Sequence, residues 1–337
     1  MAERSSLTQV VQWGVETSGA PTSGTILMAA MGFEPSPKFE TGDFRPSGTK
    51  LKSLSWVSKE WTEGALTGQA TYNEIIYPLA SVLSRPTTGG SAASGFTYTY
   101  VIQNGAPDAP RTFTIEQGED GNWSKITNAI VKEFGLAFGR DQIQLTGSAY
   151  GRAISLQTSD MTPNPTADDA MIVLPADVCV YYGSTYGAIT ASPSGAKLTR
   201  VLNTEFSIGN RYNPVWVLDC DQDSYVASVE AEPEISGSML VEANTQGMAM
   251  MSDVQNANTR YVRIEAKSST GAGTGGAGNP FRLTIDLAVK FKDTPGYSDE
   301  DGLYAIGWNL MGINTADVAA IKVEVCNDVV PTAALLS

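Results

Sequence analysis

A mainly β fold, laid out as two tandem modules that each carry a short flanking helix, is what the sequence predicts, and three observations lead there. The chain holds 33 Gly and 17 Pro with only 17% charged residues, a composition suited to strands joined by many turns. Apolar and polar residues alternate over many short stretches, the period of a half-buried strand. Segments of the first half also return in the second at a nearly constant spacing, the mark of an internal repeat.

The clearest repeating unit is residues 51–85, LKSLSWVSKEWTEGALTGQATYNEIIYPLASVLSR. Its first part alternates as a strand with one wet face. Its second part places Ile75, Ile76, Leu79, Val82 and Leu83 at helical spacing behind Thr71 and Glu74, which form a capping box. A strand therefore runs into a short helix. Pro78 inside it removes one backbone donor and is expected to kink or shorten it. Residues 238–256, SMLVEANTQGMAMMSDVQN, repeat strand and helix with Asn244 in the place of Thr71.

Upstream, residues 11–34 and 180–207 each open with an aromatic strand, turn at a Gly, cross a Ser/Thr/Pro/Gly loop and enter a second apolar strand. Gly14 matches Gly183 (183 − 14 = 169), Gly24 matches Gly195 (171), Phe33 matches Phe206 (173) and Ala70 matches Ala243 (173).

Downstream, residues 96–102 (FTYTYVI) alternate and are joined by QNGAPDAP to residues 111–117 (RTFTIEQ), a hairpin by period and turn residues. In the second half residues 261–267 and 281–291 form the matching pair around a flexible Gly/Ala/Ser/Thr loop at 268–279. Residues 123–138 fit a helical stripe as well as a strand. Gly135, the β surroundings and the turn GRD before residues 142–145 favour a strand hairpin, with residues 304–310 and 321–325 as its counterpart. Residues 158–169, TSDMTPNPTADD, hold turn formers and charge with almost nothing apolar and read as a linker. The expected division is a first module at 1–157, a linker at 158–175 and a second module at 176–337.

Length and charge narrow the function. A chain of 337 residues can bury one large core or two ordinary ones. No apolar run approaches the roughly 18 residues that span a bilayer, and MAERSSLTQVVQW lacks the apolar stretch and cleavage site of a signal peptide. A soluble protein made in a cytoplasm is expected. Cys179, Cys220 and Cys326 are widely spaced, with no CxxC, and read as buried small hydrophobes rather than a disulfide framework. The absence of histidine removes Ser-His-Asp and Cys-His catalysis and the commonest transition-metal ligand. A formal charge of −14 repels phosphate, so any dealing with DNA is non-adhesive.

The sharpest chemical motif is acidic. Asp219, Asp221, Asp223 and Glu230 match positions one, three, five and twelve of a helix-loop-helix calcium loop. Ser224 stands where that loop needs Gly, and PVWVL and YVASVEA on either side read as strands. An acidic hairpin tip is therefore the plainer reading and an incidental hard-cation site the sharper one. Gly271, Gly273 and Gly276 match GxGxxG, but the strand FRLTIDL follows them where a dinucleotide site needs a helix, and no Lys-Ser/Thr follows for a P-loop. Glu232 with Glu234, or Asp168 with Asp169, could pair for acid and base work on a sugar, although nothing fixes either pair across a cleft. Trp13, Trp56, Trp61, Trp123, Trp216 and Trp308 could stack on carbohydrate, yet in a β chain most belong to core or interface. No catalytic constellation and no cofactor site emerges.

QWGVETSGAPTSGTI, FRPSGTKLKSLSWVSKEWTEGALTG, YTYVIQNGAPDAPRTFTIEQG, TRVLNTEFSIGNRYNPVWVLD and LVEANTQG together resemble the tail tube (major tail) proteins of long-tailed, non-contractile bacteriophages, particularly those of actinobacterial hosts. The resemblance covers most of the chain and rests on the order of hairpins and connecting phrases. It implies tail-tube-type β-sandwich or barrel modules whose sheets join side by side in rings, the rings stacking into a hollow virion tail through which DNA leaves. Where one chain carries two modules, a trimer with pseudo-sixfold symmetry completes the ring that single-module members build as a hexamer. The implied partners are further copies of the chain, with tape measure, tail terminator and baseplate or distal tail proteins. DNA passes without specific binding, and no membrane is involved. The rival from another class is a receptor- or carbohydrate-binding β-sandwich.

Overall fold

A computed structural model of the protein describes residues 9–336, apart from 18, 109, 120, 160, 162–170, 192–194, 220–222, 294–295 and 301. The chain is mainly β. Its first half gives β1 (Val10–Val15), β2 (Ile26–Leu27), β3 (Met31–Phe44), β4 (Leu54–Gln69), α1 (Ile76–Val82), β5 (Thr87–Ser91), β6 (Gly95–Val101), β7 (Phe113–Glu119), β8 (Asn122–Phe138), β9 (Ile143–Gly151) and β10 (Ser155–Gln157). The second half gives β11 (Val178–Gly183), α2 (Tyr186–Thr190), β12 (Val201–Gly209), β13 (Tyr212–Val215), β14 (Ala227–Glu230) and β15 (Glu234–Glu242). It continues through α3 (Thr245–Ala249), α4 (Met251–Gln255), β16 (Arg260–Gly273), β17 (Ala277–Phe291), β18 (Tyr297–Glu300), β19 (Leu303–Gly312), β20 (Ile321–Asn327) and α5 (Ala333–Leu336). Among the described residues no helix is long and apolar enough to cross a membrane.

Strand pairing follows one plan twice. In the first half β1 pairs with β7, β7 with β8, β8 with β9, β9 with β4 and β4 with β3, while β10 lies against the start of β8. In the second half β11 pairs with β16, β16 with β17, β17 with β19, β19 with β15 and β15 with β12, while β20 lies against β17. All these ladders are antiparallel, as strands joined by short turns allow. Two further ladders tie the halves into one sheet: β12 pairs with the end of β8, and β20 with β6.

The core runs through both halves without a break. Trp13, Leu66, Tyr100, Phe134, Phe206 and Trp308 belong to one apolar cluster, each at 1% exposure or less. Fully burying a large apolar side chain stabilises by about 1.5–3 kcal/mol, so this shared cluster resists separation of the halves.

The strand that runs into a helix is present in both halves. Asn244 is the N-cap of α3, its Oδ1 accepting from Gln246 and Gly247 N–H at 2.9 and 3.1 Å. Thr71 Oγ1 accepts from Glu74 N–H at 3.1 Å, but that bond closes the turn before α1, whose own N-cap is Ile75 with no side-chain bond, so the expected capping box does not cap the helix. Glu74 also works across the sheet, accepting from Ala29 N–H at 2.8 Å and Ala30 N–H at 3.0 Å. Pro78 is accommodated because it sits in the first turn of α1, where a backbone N–H has no helical acceptor in any case. All seven residues of α1 are buried, so the helix is a core element rather than an amphipathic flank.

Four expectations need correction. The strands at 96–102 and 111–117 are not a hairpin, since β6 pairs with β5 and β20 whereas β7 pairs with β1 and β8. The segment between them is a crossover, tied down where Arg111 N–H donates to Ala80 O at 3.0 Å. By ladder position the counterpart of β16 and β17 is therefore β7 and β8, and the counterpart of the β8–β9 hairpin is β17, β18 and β19. The Gly-rich segment 268–279 is not a flexible loop: β16 continues through Gly273 and returns as β17 from Ala277. Its tip is pinned by Thr274 N–H to Ala92 O at 2.9 Å and Asn279 N–H to Ser94 O at 3.0 Å. Finally, Phe33 pairs with Leu66 whereas Phe206 pairs with Gly237, so these two phenylalanines are displaced along equivalent strands.

Of the expected linker, 160 and 162–170 lie outside the described residues. Its end is part of the fold, because Ile172 bridges to Thr71 and Val173 N–H donates to Ala70 O at 2.9 Å.

Candidate functional site

The two halves meet through a ladder and a clasp. The ladder pairs Thr204 with Phe138, Phe206 with Leu136 and Ile208 with Phe134. Beyond it the chain turns at Asn210, whose φ is 54°, a backbone region that Asn tolerates better than most residues. The β13–β14 hairpin then folds back over the first half.

Arg211 anchors that hairpin. Its Nε donates to Val82 O at 2.8 Å and its Nη2 to Leu83 O at 3.1 Å, so the cation sits on the carbonyls that end α1. Its Nη2 reaches Asp108 Oδ2 at 2.7 Å and its Nη1 Glu230 Oε1 at 3.0 Å. The side chains of Arg211 and Asp108 are both 0% exposed. Burial pushes the Asp108 carboxyl above the ordinary carboxylate range, while the Gln103 N–H and Arg211 pull the other way. The hairpin is fixed further by Tyr225 OH to Asn128 O at 2.5 Å and Ser224 Oγ to Glu60 O at 2.8 Å.

This geometry decides how Glu230 is used. Its Oε2 accepts from Asp108 N–H at 3.0 Å while Oε1 faces Arg211, so the carboxylate proposed for the twelfth position of a cation loop is committed to the clasp. Asp219 and Asp223 are exposed, and residue 221 lies outside the described residues. Among the described residues no group of three or more His, Cys, Asp or Glu side chains could hold a metal ion.

The remaining candidates are scattered. Glu232 and Glu234 border a surface depression with Lys292 and Met311, and 168 and 169 lie outside the described residues. Gly271 and Gly273 end β16, and Gly276 lies in the turn before β17, so the strand after GxGxxG is present. Trp13, Trp123 and Trp308 are buried. Cys326 is buried and Cys179 partly so, both free, while 220 is not among the described residues.

Trp61 and Trp216 meet edge to face at 5.6 Å, with Lys59 Nζ 5.4 Å from the Trp216 ring centre. Trp61 also borders a groove of about 450 Å³ with Lys38, Glu63, Lys132, Glu133 and Tyr150.

An exposed ribbon is made by β3 and β4, paired from Met31 with Gly68 out to Phe44 with Leu54. Its outer part displays Phe39, Phe44, Leu54, Trp56 and Val57, each at least 48% exposed. Clustered exposed apolar side chains of this kind mark contact surfaces. Among the described residues β3 pairs with β4 alone and β18 with β19 alone, so each leaves one edge open.

Sequence reasoning did not single out Arg211 or the length of β3. A lone Arg before Tyr212 carries no local signal of its long-range partners, and Pro35 and Pro37 disguise a strand. Both prolines fit because β3 is an edge strand: an unbroken ladder with β4 requires their missing N–H groups to face outward. No protein-family model and no curated protein matches the chain.

Proposed function

We propose that the chain is the repeating subunit of a hollow tube, the tail tube of a long-tailed, non-contractile phage, in which stacked rings enclose a channel for DNA. The observation that carries this reading is the repeated ladder plan together with the way the halves are joined. The two sets of strands with matching pairing order are joined by β12 against β8, an arrangement that suits successive units of a ring. The resemblance of the connecting phrases to tail tube proteins supports the same reading.

In this reading the chain supplies two of six equivalent positions, and three copies close a ring with pseudo-sixfold symmetry; a hexamer is the alternative. Head-to-tail contacts that close by rotation give rings, and they cover strand edges that would otherwise be an aggregation hazard. The rings would stack into the virion tail and meet tape measure, terminator and distal tail proteins at its ends. A net charge of −14 suits a conduit for DNA, since each Lys or Arg contact to phosphate would have to be broken during ejection.

Electron microscopy of the purified protein, alone and with tail-assembly partners, tests the reading. Tubes of regular rings are expected. Discrete particles that bind glycans would replace it with a carbohydrate-binding role, for which the groove beside Trp61 is the specific observation.

A further inference from the structure

Ala70 N–H donates to Ile143 O at 3.0 Å and Ala243 N–H to Tyr304 O at 2.8 Å, which aligns β4 with β15 and β9 with β19. Leu145 then corresponds to Ile306, and their partners Leu136 and Tyr297 correspond as well. β18 is thus the equivalent of the end of β8, the strand that receives β12. On the other side Gly64 corresponds to Gly237, so their partners Pro35 and Phe206 correspond. β3 is thus the equivalent of β12. Within the chain Phe206 lies opposite Leu136, yet the two equivalents, β3 and β18, each keep an open edge.

We infer that the outer edge of β3 in one copy adds antiparallel to the outer edge of β18 in a second copy, with Pro35 opposite Tyr297, Glu34 opposite Ser298 and Phe33 opposite Asp299. This rests on the reading above and names its contact. The same register sets the exposed Glu34 carboxylate, an acceptor, opposite Ser298, whose Oγ makes no hydrogen bond among the described residues. Pro35 and Pro37 limit the joint to a short ladder, which keeps the edge from pairing with arbitrary strands.

The full-length chain with Cys179, Cys220 and Cys326 replaced by Ser, carrying Glu34→Cys and Ser298→Cys together, is oxidised and run without reductant. A ladder of covalent multimers is expected from the double variant. Mixing the two single variants should give dimers and nothing larger, because the bond lies between chains. Hydrogen exchange on the unmodified protein provides a readout that does not depend on the variants folding: amides of residues 31–34 and 297–299 gain protection on assembly. Tubes that form without that protection and without the cross-link overturn the edge assignment and leave the tube reading standing. Cross-linked head-to-tail chains that never close or stack uphold the edge assignment and remove the tube reading.

Discussion

Ala70 and Ala243 make the same hydrogen bond in the two halves of the molecule: Ala70 N–H donates to Ile143 O at 3.0 Å, and Ala243 N–H to Tyr304 O at 2.8 Å. Each alanine follows the strand that carries the repeat and precedes a side chain that accepts from backbone N–H groups: Thr71 in the turn before α1 and Asn244 at the N-cap of α3. The spacing seen in the sequence is therefore a spacing of hydrogen-bond partners, not only of similar residue types.

Asn244 and Thr71 give the first prediction. Asn244→Ala strips the acceptor from two N–H groups and should cost about 1 kcal/mol of stability, the usual price of losing such a cap. Thr71→Ala removes one such bond, in the turn before α1, and should cost less, while Asn244→Ser should recover most of the loss at its own site. Urea denaturation midpoints check all three.

Arg211 gives the second. Arg211→Met leaves Asp108 buried and uncompensated, and removing one partner of a buried pair costs about 3–5 kcal/mol. Arg211→Met combined with Asp108→Leu should regain much of that loss. A double variant no more stable than the single one would show that the charge pair does not set the cost.

Acid sensitivity follows from Asp253. Although burial opposes it, hydrogen bonds from Arg260, Tyr182 and Asn258 hold its carboxyl below the ordinary carboxylate range. Because the folded value lies below the unfolded one, its contribution is present above the unfolded pKa and is lost as pH falls through the folded value. Denaturation followed from neutral pH into the acid range should show less decline for Asp253→Asn than for the unaltered protein, with the variant the less stable of the two at neutral pH.

Two glycines should answer oppositely to alanine. A Cβ on Gly68 would lie 2.1 Å from Ala30 O, against backbone that cannot yield, whereas one on Gly187, inside α2, meets nothing within 4 Å. Gly68→Ala should lower the melting temperature. Gly187→Ala should raise stability by about 0.5–1 kcal/mol, the helix-interior advantage of Ala.

The ribbon separates folding from assembly. Replacing Phe39, Leu54 and Trp56, each at least 48% exposed, by Ser should leave the unfolding midpoint of the isolated chain nearly unchanged. Under the proposed function the same variant should fail to form tubes in the electron microscope.

The sequence by itself determined the β class, the strand that runs into a helix in each half with Asn244 as the cap of the second, and the spacing that links Ala70 to Ala243. These depend on local alternation, on cap chemistry and on turn residues, all written within a few positions of one another. Tertiary structure alone decided that β6 pairs with β20 rather than with β7, that the Gly-rich segment is a paired ribbon, and that Glu230 belongs to Arg211 and Asp108. The physical reason is that strand partners and buried ion pairs form between residues far apart in the chain. An alternating segment such as FTYTYVI has a face and an edge but no address, and only packing around a shared core supplies one.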